Sequence, residues 1–407
     1  MTVREAQHEE TVSPSGFGGE VGTTWSAGWS ASVQRPSSGF GENWAGTGFE
    51  RQSVRQVVRV SGGGTSARVR LSNRYGTRPL TVDAAVLARS AGGAAVHPES
   101  RRVLTFAGGT SVRIPAGGEA VSDAVELRAA AFDSLALTLY FDGPTGPTTF
   151  HSQAWAESYR AAGDRTNDTG GDGFDEVTHS WYLLSDIEFA GDGAAEGTVV
   201  TFGDSITDGF GSSVGANRRY PDVLADRLAG AGRRWAVLNE GIGGNLLLHD
   251  SPWFGEAATT RFERDVLDKP GVRAVIVHVG LNDIGFSEID LPTYKPDADV
   301  SAEELIAGYR DLIRRAHERG VLVIGGTILP FKGSEYHTPR AEAKRRAVND
   351  WIRTSGEYDA VADFAAVLAS PDDTDVLDPR WDSGDRKHPN DAGFRVMVET
   401  VDLDALL

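Results

Sequence analysis

From Gly197 onward, apolar runs of strand length alternate with stretches whose apolar residues recur at helical spacing, and few folds accept that alternation. TVVTF (Thr198 to Phe202) is a buried-type strand. YPDVLADRLAG follows, with Tyr220, Val223, Leu224 and Leu228 on one helical face and Gly230 as its stop. Further strands read at Ala236 to Leu238, Ala274 to Gly280, VLVIGGTIL and Ala360 to Phe364. Helical patterns lie between them, around Thr260 to Leu267, from the capping box Ser301-x-x-Glu304 to about Arg319, and from Ala341 to Thr354. A last helix begins near Asp391. Crossovers of that length join parallel strands, and their helices cover both faces of the sheet. The expected fold class is α/β, a three-layer α/β/α domain on a five-stranded parallel sheet. Ligands of such sheets bind at the carboxyl ends of the strands.

The chain before Gly197 has a different period. Val54, Gln56, Val58 and Val60 alternate with Ser53, Arg55, Val57 and Arg59, and Leu135, Leu137, Leu139 and Phe141 with Ala136, Thr138 and Tyr140. Turns such as Gly62-Gly63-Gly64 and Ala107-Gly108-Gly109 separate the runs, which predicts an antiparallel β-sandwich. One core rarely serves more than roughly 250–300 residues. The expected organisation is therefore a flexible tail over 1–20, a sandwich domain over 21–192 and the α/β domain over 197–407. The segment Gly163 to Glu176 reads as a mobile polar loop whose acids miss the calcium-loop spacing.

A net charge of −18 repels phosphate backbones and anionic lipid, so neither nucleic acid nor membrane is an expected partner. The absence of cysteine removes disulfide, thiolate and zinc–thiolate chemistry. No stretch approaches the roughly 20 apolar residues of a membrane span. MTVREAQHEETVSPS lacks the apolar core of a signal peptide, so the chain as written is expected in the cytoplasm, with secretion open if the sequence is trimmed. Oligomeric state is not legible.

Four segments fall at the predicted strand ends. TFGDSITDG (Thr201 to Gly209) follows the first strand, NEGIGGN (Asn239 to Asn245) the second, GLND (Gly280 to Asp283) the third, and DRKHPND (Asp385 to Asp391) precedes the last helix. Together they hold what acyl-ester hydrolysis requires: a nucleophile, a base near neutral pKa, a group to orient the base, and oxyanion donors. Ser205 suits the first role, His388 the second and Asp385 the third. The N–H groups of Ser205 and Gly244 and the Asn282 amide suit the last. Glycine at 244 is expected because a side chain would crowd the substrate carbonyl.

These blocks resemble, in order, the GDS, N-x-G-x-x-G, G-x-N-D and D-x-x-H-P motifs of the SGNH (GDSL) hydrolases. The resemblance covers about Val199 to Leu407. It implies Ser205, His388 and Asp385 as the triad, Ser205, Gly244 and Asn282 as the oxyanion hole, and no metal or cofactor. TWSAGWSASVQ, Ala67 to Leu80, Phe150 to Tyr159 and Val348 to Phe364 are similar to a two-domain, arylesterase- or acylhydrolase-like branch with an N-terminal, jelly-roll-like sandwich. Some members of that branch act in plant polysaccharide breakdown. The expected activity is hydrolysis of short-chain acyl esters, acetyl above all, on small molecules or oligosaccharides. The alternatives are a lipase or arylesterase on lipid or aromatic esters, a non-catalytic carbohydrate-binding protein, and a magnesium phosphohydrolase built on Asp204 and Asp208.

Secondary expectations concern the surroundings. Asp204, Asn245 and His249 are candidates to touch substrate, and Asp208 to brace the serine turn. The loops Leu246 to Glu256 and Gly285 to Pro296 would select the acyl chain. Arg386 and Lys387 depart from the usual D-x-x-H spacing residues, and two cations there should disfavour protonation of His388. His278 reads as core and His317 as solvated, while His151 and His179 receive no role. Asp372, Asp373, Asp375, Asp378 and Asp382 read as a solvated loop rather than a calcium site. Trp25, Trp29, Trp44 and Trp155 read as core rather than sugar platforms.

Overall fold

The computed structural model describes residues 23–289 and 299–406. The expected tail over 1–20, and most of the loop from Gly285 to Pro296, lie outside the described residues. The parallel sheet consists of Gly197–Gly203, Trp235–Gly241, Val272–His278, Leu322–Gly326 and Ala360–Ala362. In space they run second, first, third, fourth, fifth, all pairs parallel. Every residue of the first strand is buried, as befits a sheet covered on both faces. The helix Tyr220–Gly230 packs with Asp391–Glu399, and Ala302–Glu318 with Pro339–Thr354. The first strand thus sits between the second and third, so the connections leave its end in opposite directions and open a crevice there.

The stretch expected as one helix around Thr260 to Leu267 is an α-turn, Ala258–Phe262, running into a wider π-turn, Glu263–Leu267. Such turns are often found at functional sites. Here the α-turn carries Arg261 and the π-turn Asp265, and their side chains meet at 3.1 Å under the crevice.

The N-terminal region is β-rich, with one five-stranded and one seven-stranded antiparallel sheet. Ser134–Phe141 pairs on one side with Gln52–Arg59 and on the other with Ala84–Gly92. Leu135, Leu137, Leu139 and Phe141 share a core with Val69, Leu71, Ile187 and Phe189 of the other sheet. The alternation in this strand does not separate core from solvent, because Ala136 and Thr138 are buried as well. Arg55 explains the second buried face. Its guanidinium donates to Thr138 Oγ1 at 2.8 Å and to the carbonyls of Ala94 and Asp168 at 2.6 and 2.7 Å, 4.3 Å from the Phe174 ring. Burial lowers its pKa to about 10. The segment expected to be mobile, Gly163 to Glu176, is therefore folded around a buried cation as a cover for the sheet.

The two regions are joined by specific polar contacts. Ala31 bridges in parallel to Asn239. Ser30 and Ser32 donate to the Glu240 carboxylate, and Lys269 pairs with Asp186 at 2.6 Å and with Glu240 at 2.9 Å. No helix among the described residues is long and apolar enough to cross a membrane.

Candidate active site

Asp204 caps the short helix Ser205–Asp208, its Oδ1 accepting from the Ile206 N–H at 3.1 Å. Gly209 closes the helix at φ 113°. This tight strand–turn–helix passage leaves Ser205 at the rim of the sheet. Its Oγ lies 2.8 Å from His388 Nε2. His388 Nδ1 lies 2.5 Å from Asp385 Oδ2, and Asp385 Oδ1 accepts from the backbone N–H of His388 at 2.9 Å and of Lys387 at 3.1 Å. The Phe210 ring packs on the imidazole, centroids 4.3 Å apart. Ser205, His388 and Asp385 thus form one hydrogen-bonded line.

Burial pulls the His388 pKa below its ordinary 6.5, Asp385 opposing and Lys387 adding to the fall. Burial would raise the Asp385 pKa, but the bonds it accepts from His388 outweigh this and hold it at about 2. The imidazole is therefore neutral, and the carboxylate ionised, near pH 7. The two cations expected to cause the shift play a smaller part. Lys387 pairs with Glu335 and sits 4.1 Å over the Tyr336 ring, while Arg386 reaches the Gly333 carbonyl.

Among the described residues, the N–H groups of Ser205 and Gly244 donate to no other group. Gly244 adopts φ 75°, and a Cβ there would meet the Phe254 ring at 2.3 Å. Conformation and Phe254, rather than crowding of the substrate, account for the glycine. Asn282, in the helix Leu281–Gly285, donates one amide hydrogen to the Asn245 carbonyl at 3.0 Å and accepts from the Tyr336 hydroxyl at 3.2 Å. Its orientation is thereby set, with a second amide hydrogen in hand. Asp283 accepts from Leu247 N and Leu248 N at 2.7 and 3.2 Å, tying the third strand end to the second.

Two candidate contacts with substrate, Asn245 and Asp204, lie buried. Asn245 is fully buried, its Nδ2 donating to the carbonyls of Phe254 and Glu256 and its Oδ1 accepting from Arg261, so it has no atom to offer a ligand. Asp204 is buried beneath the serine as a helix cap, and burial pushes its pKa up to about 7. His249 is half-buried, its Nδ1 without a described partner. His278 is core, and burial lowers its pKa to about 4. His317, half-exposed, pairs with Asp359. Trp29 and Trp44 are core, while Trp25 lies 4.3 Å from the guanidinium of Arg68. Asp373, Asp375 and Asp378 are held in ion pairs with Lys332, Arg345 and Arg380. Among the described residues no group of three or more acids and histidines gathers as a metal-ligand set.

Sequence reasoning missed His151 and Arg261. Asp208 Oδ2 accepts from the Gly243 N–H at 2.9 Å, beside Gly244, and its Oδ1 lies 3.1 Å from His151 Nε2. His151 Nδ1 faces the Ser32 carbonyl at 2.8 Å, so both ring nitrogens meet acceptors. Burial opposes the charged form, but Asp208 outweighs it and raises the pKa. A histidine of the β-rich region therefore reaches the serine turn through one carboxylate. Arg261, completely buried, donates to the carbonyls of Gly203 and Glu240 at 2.9 Å each, to Asn245 Oδ1 and to Ser32 Oγ. The only hint for His151 was its place in the FHSQAWAESY tract; Arg261 left none.

Residues 201–396 match the model of the GDSL-like lipase/acylhydrolase family. No curated protein matches the chain. Among solved structures, LAE5, an α/β hydrolase enzyme from the metagenome of Lake Arreo, is 25% identical over 52% of this chain and 96% of its own, with a TM-score of 0.40. Axe2, an acetylxylan esterase from Geobacillus stearothermophilus, is 23% identical over 52% of this chain and 94% of its own, TM-score 0.39. A GDSL-like lipase from Bacteroides thetaiotaomicron is 17% identical over 52% of this chain and 88% of its own, TM-score 0.37.

Proposed function

We propose that this chain is a carboxylic ester hydrolase of the GDSL-like lipase/acylhydrolase kind, whose model residues 201–396 match, and that Ser205, His388 and Asp385 are its catalytic triad. The observation that carries this is the unbroken line from Ser205 Oγ to His388 at 2.8 Å and on to Asp385 at 2.5 Å. Ser205 attacks the ester carbonyl as His388 Nε2 takes its proton. Asp385 holds the other ring nitrogen and stabilises the imidazolium. The N–H groups of Ser205 and Gly244 and the free amide hydrogen of Asn282 receive the oxyanion. His388 then protonates the leaving alcohol, and water attacking the acyl-serine by the same route releases the acid.

Short acyl groups, acetyl first, fit this site best. Phe254 backs Gly244 and packs at a tilt on Phe286, centroids 5.2 Å apart, and Phe286 meets Tyr336 at 5.9 Å, so aromatic rings close in behind the oxyanion donors. In this reading the β-rich region is a sandwich domain over 21–192, and residues 197–407 are the catalytic domain.

A serine-directed phosphonate tests the proposal against p-nitrophenyl acetate turnover. Activity should vanish in step with one label per chain, located on Ser205 by peptide mass spectrometry. Full labelling elsewhere, or turnover surviving a label on Ser205, would refute it. Asn282→Ala should lower kcat roughly 10²–10³-fold, the usual cost of one oxyanion donor, with a smaller change in KM. A loss below about tenfold would remove Asn282 from the oxyanion hole.

The pH profile follows from the lowered pKa of His388. The working form is neutral imidazole, so kcat/KM should hold flat through neutral pH and decline only as pH falls below the ordinary histidine value of about 6.5. An acid limb centred above that value would contradict the assignment.

A further inference from the structure

A cleft of about 270 Å³ lies in the β-rich region against the oxyanion turn, its walls including Phe40, Glu42, Gln153, Trp155, Val177 and His179. One aromatic ring separates it from the proposed catalytic residues on each of two sides. On one, Trp155 meets Phe210 edge-on at 5.7 Å, and Phe210 packs on His388 at 4.3 Å. On the other, Phe40 stacks on Phe254 at 5.7 Å, the ring that backs Gly244. A Cβ added at Gly243 would meet Gln153 Oε1 at 2.0 Å and Phe40 Cε2 at 3.0 Å, so cleft and turn share a wall.

Three features mark this cleft as built for a ligand. Gln153 is 8% exposed, and its Oε1 has no hydrogen-bond partner among the described residues. Trp155 Nε1 is likewise buried and unpartnered. An unpaired acceptor and an unpaired donor on two residues that line the same cleft are costly unless something arrives to satisfy them. Trp155 also adopts φ 52°, a left-handed conformation that a bulky side chain rarely takes and that is strained without compensation. Finally, Phe40 and Val177 are 50% and 48% exposed at this cleft, apolar surface left open beside polar groups.

The chemistry of the walls sets the class of ligand. Flat aromatic rings offer a face to an apolar ring surface, while Gln153, Trp155 Nε1, Glu42 and His179 offer donors and acceptors around its edge. A fatty chain would satisfy none of these polar atoms. The volume is slightly below the roughly 300 Å³ at which small-molecule pockets begin, which suits one ring better than a long chain. We propose that this cleft binds the alcohol side of the ester as a hydroxylated ring, a sugar unit, and that the β-rich region thereby selects the substrate. The proposal rests on the ester-hydrolase reading above.

The test compares acetylated methyl xyloside with ethyl acetate, which has no ring, and cyclohexyl acetate, whose ring has no hydroxyls, in wild type, Phe40→Ala and Trp155→Phe. Phe40 is half exposed, so its loss leaves the fold standing, and Trp155→Phe keeps a ring while deleting the donor. Both variants should lose at least tenfold more kcat/KM on the sugar ester than on ethyl acetate. In Trp155→Phe, cyclohexyl acetate should follow ethyl acetate. Equal losses on all three esters, or none on the sugar ester, would overturn the proposal, as would cyclohexyl acetate falling with the sugar ester in Trp155→Phe. Binding of unacetylated methyl xyloside to Ser205→Ala, read by tryptophan fluorescence, separates this claim from the catalytic one. Binding that Phe40→Ala weakens tenfold supports the cleft even if Ser205 proves not to be the nucleophile; no binding in the millimolar range counts against it.

Discussion

Ser205→Ala is expected to lower kcat on p-nitrophenyl acetate by about 10⁶, the loss found when a triad nucleophile is removed, while KM changes little. The size of the effect follows from what stays behind. The oxyanion donors remain, and with binding they still supply roughly 10³–10⁴ over the uncatalysed reaction, so the variant retains a measurable residue of activity. Stability should not move, because the Ser205 hydroxyl contacts only His388 among the described side chains and the helix cap belongs to Asp204. Thermal unfolding of the variant alongside stopped-time product assays checks both halves. A loss below about tenfold would mean that another group attacks the ester.

Arg261→Met should destabilise the protein by about 3–5 kcal/mol, the usual cost of breaking a buried charge network from one side. Methionine matches the stem of arginine but donates nothing. The carbonyls of Gly203 and Glu240 and the Asn245 side chain would lose their donor, and Asp265 one of its cations. Arg261→Lys should recover little, since one ammonium cannot span acceptors on four segments. At about 2–4 °C per kcal/mol for a domain of 150–250 residues, the melting temperature of the Met variant should fall by about 6–20 °C. A fall of under about 2 °C would show that these bonds are replaced by water or by side-chain repacking.

What could be read beforehand and what could not divide along sequence distance. Strand–helix alternation announced the parallel sheet, and the rule that ligands sit at strand ends then selected Ser205, Gly244, Asn282 and His388. Each of those residues stands in a short motif whose letters sit side by side. Arg261 is different: its partner Ser32 lies 229 residues away, and nothing near Arg261 distinguishes it from a solvated arginine on a helix. His151 meets Asp208 across 57 residues, from a strand region to a helix. The burial of Asn245 was hidden for a related reason. Its neighbour Gly244 faces the site, and only the fold reveals that the Asn245 side chain turns the opposite way, toward Arg261. The segment Gly163 to Glu176 has a polar composition that reads as unstructured, yet its carbonyls are what a buried guanidinium needs.

The link from His151 through Asp208 to the Gly243 N–H spans only two contacts, 3.1 and 2.9 Å long. The β-rich region and the serine turn are therefore mechanically linked through one carboxylate. If the β-rich region selects the alcohol as proposed, a change that shifts His151 also shifts the Gly243 peptide next to Gly244. A breeder of new specificities would do well to hold that short tether fixed and vary only the walls beyond it.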